Sequence, residues 1–201
     1  MHHLYQTEAI ILRSSNTREA DRFIRAFTRD FGMVEAGATG VRHLKSKLRY
    51  SLQECSLVSL TLVKGKASWR ITNAAPIRNF FSDLRGDEQK DLRKSKLAVR
   101  ILKLTARLVA GEEPHPELFR LVHEGLSTLV DMKEFSREQE ASFECLFVLR
   151  LLRELGYVGE NAALAPFATS FAWDEPTLLD FAPIRSEALR TVNAALKESQ
   201  L

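Results

Sequence analysis

A chain of 201 residues that is 45% hydrophobic and 27% charged has room for one ordinary domain or two small ones around a buried core. Its most apolar stretch, 146–155, is broken by Arg150 and Arg153 and is half the roughly 20 residues a bilayer needs, which excludes a transmembrane helix. The net charge of +3 divides into +7 over residues 1–80 and −4 over 81–201, so a basic N-terminal module suited to a polyanion stands beside an acidic one.

Residues 1–8 lack the basic stretch and apolar core of an export signal, so a cytoplasmic location is expected. A β-branched run then predicts a strand over 5–14, closed by Ser14-Ser15-Asn16. Residues 22–28 are ambiguous, because Phe23, Phe27 and Phe31 recur at helical spacing while their surroundings read as strands; they are assigned to a second strand. Residues 33–39 follow as a third. Leu57 to Val63 alternates with period two and turns through Lys64-Gly65-Lys66 into 68–74, a hairpin. Five short strands in under eighty residues are what a small barrel such as the OB-fold requires. The two cysteines, Cys55 and Cys145, have no CxxC or paired histidines near them and are expected to be reduced structural thiols.

After Pro76 the texture becomes helical. Residues 88–110 contain neither Pro nor Gly and end before Gly111, and 116–130 start with proline in the first turn. Ser136 and Gln139 form a capping box ahead of 141–155, in which early acids and the late Arg150 and Arg153 suit the macrodipole. A weaker helix covers 184–198, and 161–181 is an irregular connection whose Phe167, Phe171, Trp173 and Phe181 are expected to cluster. The predicted fold is α+β: a five-stranded OB-type barrel over 1–78 followed by an α-helical domain over 79–201.

No phosphate-binding loop, dinucleotide fingerprint, nucleophile elbow or HExxH motif occurs, and the five histidines sit at no ligand or triad spacing. No enzyme, cofactor or metal is expected. The positive signal is Gly37 to Tyr50, where Arg42, Lys45, Lys47 and Arg49 stand with His43 and Tyr50 and without an acid. Its two glycines leave backbone N–H groups open to phosphate. Lys64 and Lys66 extend the basic set, Tyr50 is a candidate base-stacking side chain, and Trp69 suits either such a platform or, more readily, the core. A solvated basic loop explains the same residues. A second feature lies on the first long helix: Arg93, Lys96, Arg100, Lys103 and Arg107 share one narrow arc, bordered by Leu97, Ile101, Leu104 and Leu108. That row is either a binding surface or a solvated face paired with acids elsewhere.

Glu8-Ala9-Ile10-Ile11-Leu12, Glu19-Ala20-Asp21-Arg22, Phe27-Thr28-Arg29, Phe31-Gly32, Gly40-Val41-Arg42, Lys45-Ser46, Leu48-Arg49 and Leu52-Gln53 come in an order that resembles the N-terminal OB domain of the RecO family of bacterial recombination mediators. Leu151-Leu152-Arg153-Glu154-Leu155-Gly156-Tyr157 is similar to a helix end in that family's C-terminal domain. The resemblance implies binding of single- and double-stranded DNA, strand annealing without catalysis, contact with a RecR-like partner and with the acidic C-terminal tail of single-strand-binding protein, and loading of RecA. It makes Arg42, Lys45, Lys47, Arg49, Tyr50, Lys64 and Lys66 the expected DNA contacts and Arg100, Lys103, Leu104 and Arg107 the expected tail contacts. Two departures stand out: Thr39 replaces a lysine common in relatives, and no cysteine occurs over 158–181, where many relatives hold zinc, so no zinc role carries over. Two further readings are an adaptor that binds acidic protein tails without nucleic acid, and a nucleic-acid enzyme without a recognisable active site.

Overall fold

The computed structural model describes residues 3–66, 68–84, 89–159 and 161–198. Five strands, β1 (Leu4–Asn16), β2 (Arg22–Thr28), β3 (Gly32–Ala38), β4 (Ser56–Lys64) and β5 (Trp69–Asn79), close into a barrel in the order β1-β2-β3-β5-β4. All pairings are antiparallel except β3 with β5, which touch in parallel at Ala36↔Trp69 and Gly37↔Arg70. This is the strand order of an OB-fold, and the ambiguous 22–28 segment is a strand. The reason lies in its alternation: Ile24 and Ala26 point into the barrel with Val34, Val58 and Leu60, while Phe27 on the opposite face packs on the helices.

β5 continues five residues past the predicted end at 74, through Pro76. Beyond Arg70 its far edge has no strand partner, so a residue without an N–H costs no ladder bond there. Trp69 takes the core reading over the base platform: it is 4% exposed and forms edge and tilted ring contacts with Tyr5 and Phe31 at 5.3 and 5.6 Å, plugging one end of the barrel.

The chain then forms α1 (Leu48–Ser51), between β3 and β4, and, after β5, α2 (Phe80–Asp83), α3 (Gln89–Leu108), α4 (Pro116–Asp131), α5 (Arg137–Glu154), α6 (Ala165–Ala168), α7 (Glu175–Phe181) and α8 (Arg185–Glu198). Glu88, the expected first residue of α3, lies outside the described residues. The capping box is present at α5, with Ser136 accepting from the Gln139 N–H and the Gln139 side chain accepting from the Ser136 N–H.

Residues 161–181, expected to be irregular, hold α6 and α7, the latter capped by Asp174. Their aromatics do not form a cluster of their own. Trp173 stacks on Phe143 and Phe147 of α5 at 4.8 and 5.9 Å, Phe167 meets Phe181 at 5.5 Å, and Phe171 lies under Arg120 at 4.3 Å. Arg150, expected near the α5 C-terminus to match the macrodipole, is 1% exposed. Its Nε donates to the Phe167 carbonyl at 2.8 Å and its guanidinium lies 4.3 Å over Trp173.

Two cores result. One fills the barrel; the other joins Ile10, Phe27, Met33 and Leu57 on the barrel's outer face to α3, α4, α5, α7 and α8. The helices therefore cover one part of the outer face of β1–β2–β3 and leave the rest to solvent, and this uncovered part frames the basic segments.

Candidate nucleic-acid interface

The 39–49 segment leaves β3 at one end of the barrel and is folded against the 17–21 loop. Gly40, at φ +69°, donates its N–H to the Asp21 carboxylate at 2.9 Å, and the Arg42 N–H bonds the Ala20 carbonyl at 3.0 Å. The expected phosphate cradle at Gly40 is thus already filled by a carboxylate. What the segment offers instead is side-chain charge. Arg42, Lys45 and Lys47 are exposed, Arg49 is half-buried on α1, and none of the four has a carboxylate within 4 Å among the described residues. Arg42 Nη1 reaches the Arg18 carbonyl at 3.4 Å. Tyr50 is 69% exposed, and Leu44, between His43 and Lys45, is 85% exposed. Leu44 escaped notice in the sequence because a single leucine in a basic run carries no periodic signal.

Lys64 and Lys66 sit elsewhere. The register Ala36↔Trp69 sets their turn beside the Glu35 end of β3, whereas the 39–49 segment leaves from the other end. Lys64 is occupied: its Nζ is 2.8 Å from Glu112 and 4.9 Å over the Trp69 ring, and the Glu112 carboxyl is held below its usual range first by that hydrogen bond. Lys66 is exposed. The expected DNA set is therefore two groups flanking the outer face of β2 and β3, with Lys64 tied down.

The α3 row is partly spent on α5. Arg93 donates to the Phe135 carbonyl at 2.6 Å and lies 3.7 Å from Glu140. Arg100 holds both oxygens of Glu144, at 2.6 and 2.9 Å, and Glu140 at 3.1 Å, which raises its pKa. Leu104 lies in the seam between α3 and α5, beside a gap of about 30 Å³. Arg100, though exposed, and Leu104 thus contact α5, so two members of the expected tail set are engaged within the helical domain. Lys96, Lys103 and Arg107 remain exposed. Beside them the structure shows a groove that the sequence did not reveal. A part of about 530 Å³ is lined by Phe81, Leu92, Ser95, Lys96, Val99 and Arg100, and an adjoining part of about 280 Å³ reaches Cys55, Leu102 and Lys103. Leu92 is 55% and Phe81 39% exposed there. The groove joins α2 to α3, elements whose proximity no local pattern encodes.

Among the described residues no group of three or more His, Cys, Asp or Glu is placed to hold a metal ion, and no helix is long and apolar enough to cross a membrane.

A closed barrel of this order, with loops carrying unpaired cations around one uncovered face, defines an OB-fold backed by a helical domain. Residues 1–80 match the family model for Recombination protein O N terminal and residues 89–158 that for Recombination protein O C terminal. The chain belongs to the RecO family. It is 32% identical over 154 residues to the DNA repair protein RecO of Desulfitobacterium hafniense, covering 77% of this chain and 52% of the relative. It is 34% identical over 157 residues to that of Heliobacterium modesticaldum, covering 78% and 53%. With the RecO of Syntrophobacter fumaroxidans it shares 30% over 175 residues, covering 84% and 66%. The chain spans about half the length of the first two of these relatives.

Proposed function

We propose that this chain is a non-enzymatic DNA-binding mediator of recombinational repair, which grips phosphate backbones with the 39–49 segment and brings complementary strands together. The observation that carries this is the contrast between the two basic features. Arg93 and Arg100 on α3 are neutralised by acids of α5, whereas Arg42, Lys45, Lys47 and Arg49 have no carboxylate partner among the described residues. Cations kept close together without counter-charges repel one another, and a polyanion relieves that repulsion while releasing its own counterions. Screening two backbones at once lowers the barrier to annealing and consumes no nucleotide.

The groove between α2 and α3 supports the partner that the family resemblance implies. Its apolar floor and the bordering Lys96 and Lys103 suit an acidic peptide ending in an apolar residue, as in the tail of single-strand-binding protein, with Arg107 one turn further along. A RecR-like partner and the loading of RecA belong to the same reading.

The test is affinity for a fluorescent single strand across a salt series. Changing Arg42, Lys45, Lys47 and Arg49 together to Ala is expected to weaken binding for every sequence alike and to flatten the slope of log K against log salt by about 3. An unchanged slope rejects the segment as the DNA site. A protein-interaction adaptor would bind the tail peptide and show no affinity for DNA in the same series.

A further inference from the structure

On the outer face of β1, β2 and β3, side chains fall into cross-strand rows. The first, Ile10↔Phe27↔Met33, is covered by the helices, with Phe27 5.7 Å from Phe119 of α4. The second is Arg13↔Arg25↔Glu35, in which Arg13 is exposed and Arg25 stands 3.7 Å from Glu35. The third is Ser15↔Phe23↔Gly37, continued across the parallel pairing to the exposed Arg70. Among the described residues, none of this last row joins the apolar core that the helices share with the barrel.

Phe23 is half-buried but belongs to neither apolar core. An aromatic facing a glycine across antiparallel strands commonly lies over it, shielding the bare backbone. That is not what happens here: a Cβ built on Gly37 meets no heavy atom within 4 Å, so the ring leaves the space beside it empty. An aromatic ring outside the cores, an open site at its flank, and exposed arginines in the adjacent row and at the far end of its own row form a pattern that neither strand propensity nor barrel packing requires.

We infer that Phe23 is a stacking platform for one unpaired base, that Gly37 leaves room for that base, and that the exposed Arg13 and Arg70 hold the neighbouring phosphates. The ligand is single-stranded nucleic acid, because duplex bases are stacked on one another and present no free face. The inference rests on the DNA-binding reading above and deepens it: the 39–49 segment takes any phosphate backbone, while the Phe23 row distinguishes single strand from duplex.

The test uses the full chain with a labelled oligothymidylate and a blunt duplex of equal length. Phe23→Leu removes the ring's face, and Gly37→Val fills the open site with a residue that favours strands. Each is expected to weaken oligothymidylate binding by about 5- to 50-fold, in line with the loss of one base–aromatic stack. Duplex affinity should stay within about twofold and the salt slope should not change. Phe23→Trp should keep single-strand affinity, with indole fluorescence quenched by the oligothymidylate and not by the duplex. If the wild-type chain binds the oligothymidylate and both Phe23→Leu and Gly37→Val bind it equally well, the platform is overturned while DNA binding stands. A parallel loss of duplex affinity also overturns it, since the row then serves the whole surface. If the wild-type chain binds neither DNA, the underlying reading fails and the platform with it.

Discussion

Arg100 of α3 grips Glu144 of α5 with two nitrogens, Nε at 2.6 Å and Nη2 at 2.9 Å, and so turns a residue of the basic row into a clamp between helices. A planar guanidinium meeting both carboxylate oxygens is the strong form of such a pair, and Glu140 extends it into a network. The site is partly exposed, so the contribution is modest. Arg100→Ala should cost about 1 kcal/mol in urea unfolding and leave the salt slope of DNA binding unchanged. A slope flattened by Arg100→Ala alone would place the α3 row in the DNA path.

Gly32 and Gly37 lie on the same strand and should respond to a methyl group in opposite ways. Gly32 has φ +61°, and a Cβ there would stand 2.2 Å from the Glu113 carbonyl oxygen, where the chain leading to α4 docks on the barrel and Met33 N–H bonds the Gly111 carbonyl at 2.9 Å. Backbone strain and a clash with main chain combine, so Gly32→Ala should destabilise the fold by about 3 kcal/mol or more. Gly37→Ala meets nothing and should change the unfolding midpoint little. Equal effects of the two changes would contradict the close approach of the 111–113 segment to the start of β3.

Much of this architecture was legible because the relevant signals are local. Period-two alternation from Leu57 to Val63, the Ser136–Gln139 capping box and the proline opening α4 each act within a few residues. What the sequence hid is what distant segments do to one another. The α3 row is continuous on its own helix, and the acids that neutralise Arg93 and Arg100 come from some forty residues further on. Arg150 looked like a helix-end charge until α6 and α7 folded back to give it the Phe167 carbonyl and the Trp173 ring. Phe23 was visible only as part of a phenylalanine repeat; the cross-strand register separates it from Phe27 by deciding which row the helices cover.

The two thiols make stability sensitive to alkali. Burial pushes Cys55 from 9.0 up to about 12, aided by Glu54, and Cys145 up to about 11, against the opposing pull of Arg185. A thiol whose folded pKa lies above its unfolded value contributes fully below about pH 9, and the contribution is lost as the pH rises toward the folded value. Urea midpoints should therefore hold up to about pH 9 and then fall, each thiol adding up to about 1.4 kcal/mol per pH unit to the decline. Cys145→Ala should make the decline shallower; an identical pH profile would show that Cys145 does not drive it.

Asp21 presents a carboxylate to the Gly40 N–H inside the most basic segment of the chain, so it both fixes the loop and opposes its charge. Two substitutions separate these roles. Asp21→Asn keeps an oxygen that can accept the Gly40 N–H and removes only the negative charge, so single-strand affinity at low salt should rise about two- to fivefold, an advantage that added salt screens away. Asp21→Ala gains the same electrostatic benefit but loses the acceptor. The 39–49 segment must then be ordered on binding, and affinity should fall below that of Asp21→Asn by about tenfold, with the slope against salt unchanged because the same phosphates are still contacted. Loss of the bond should also speed exchange of the Gly40 amide in Asp21→Ala and not in Asp21→Asn. If both variants bind DNA equally tightly while only one loses amide protection, the loop's fixed shape contributes nothing to recognition and its charge alone attracts the strand.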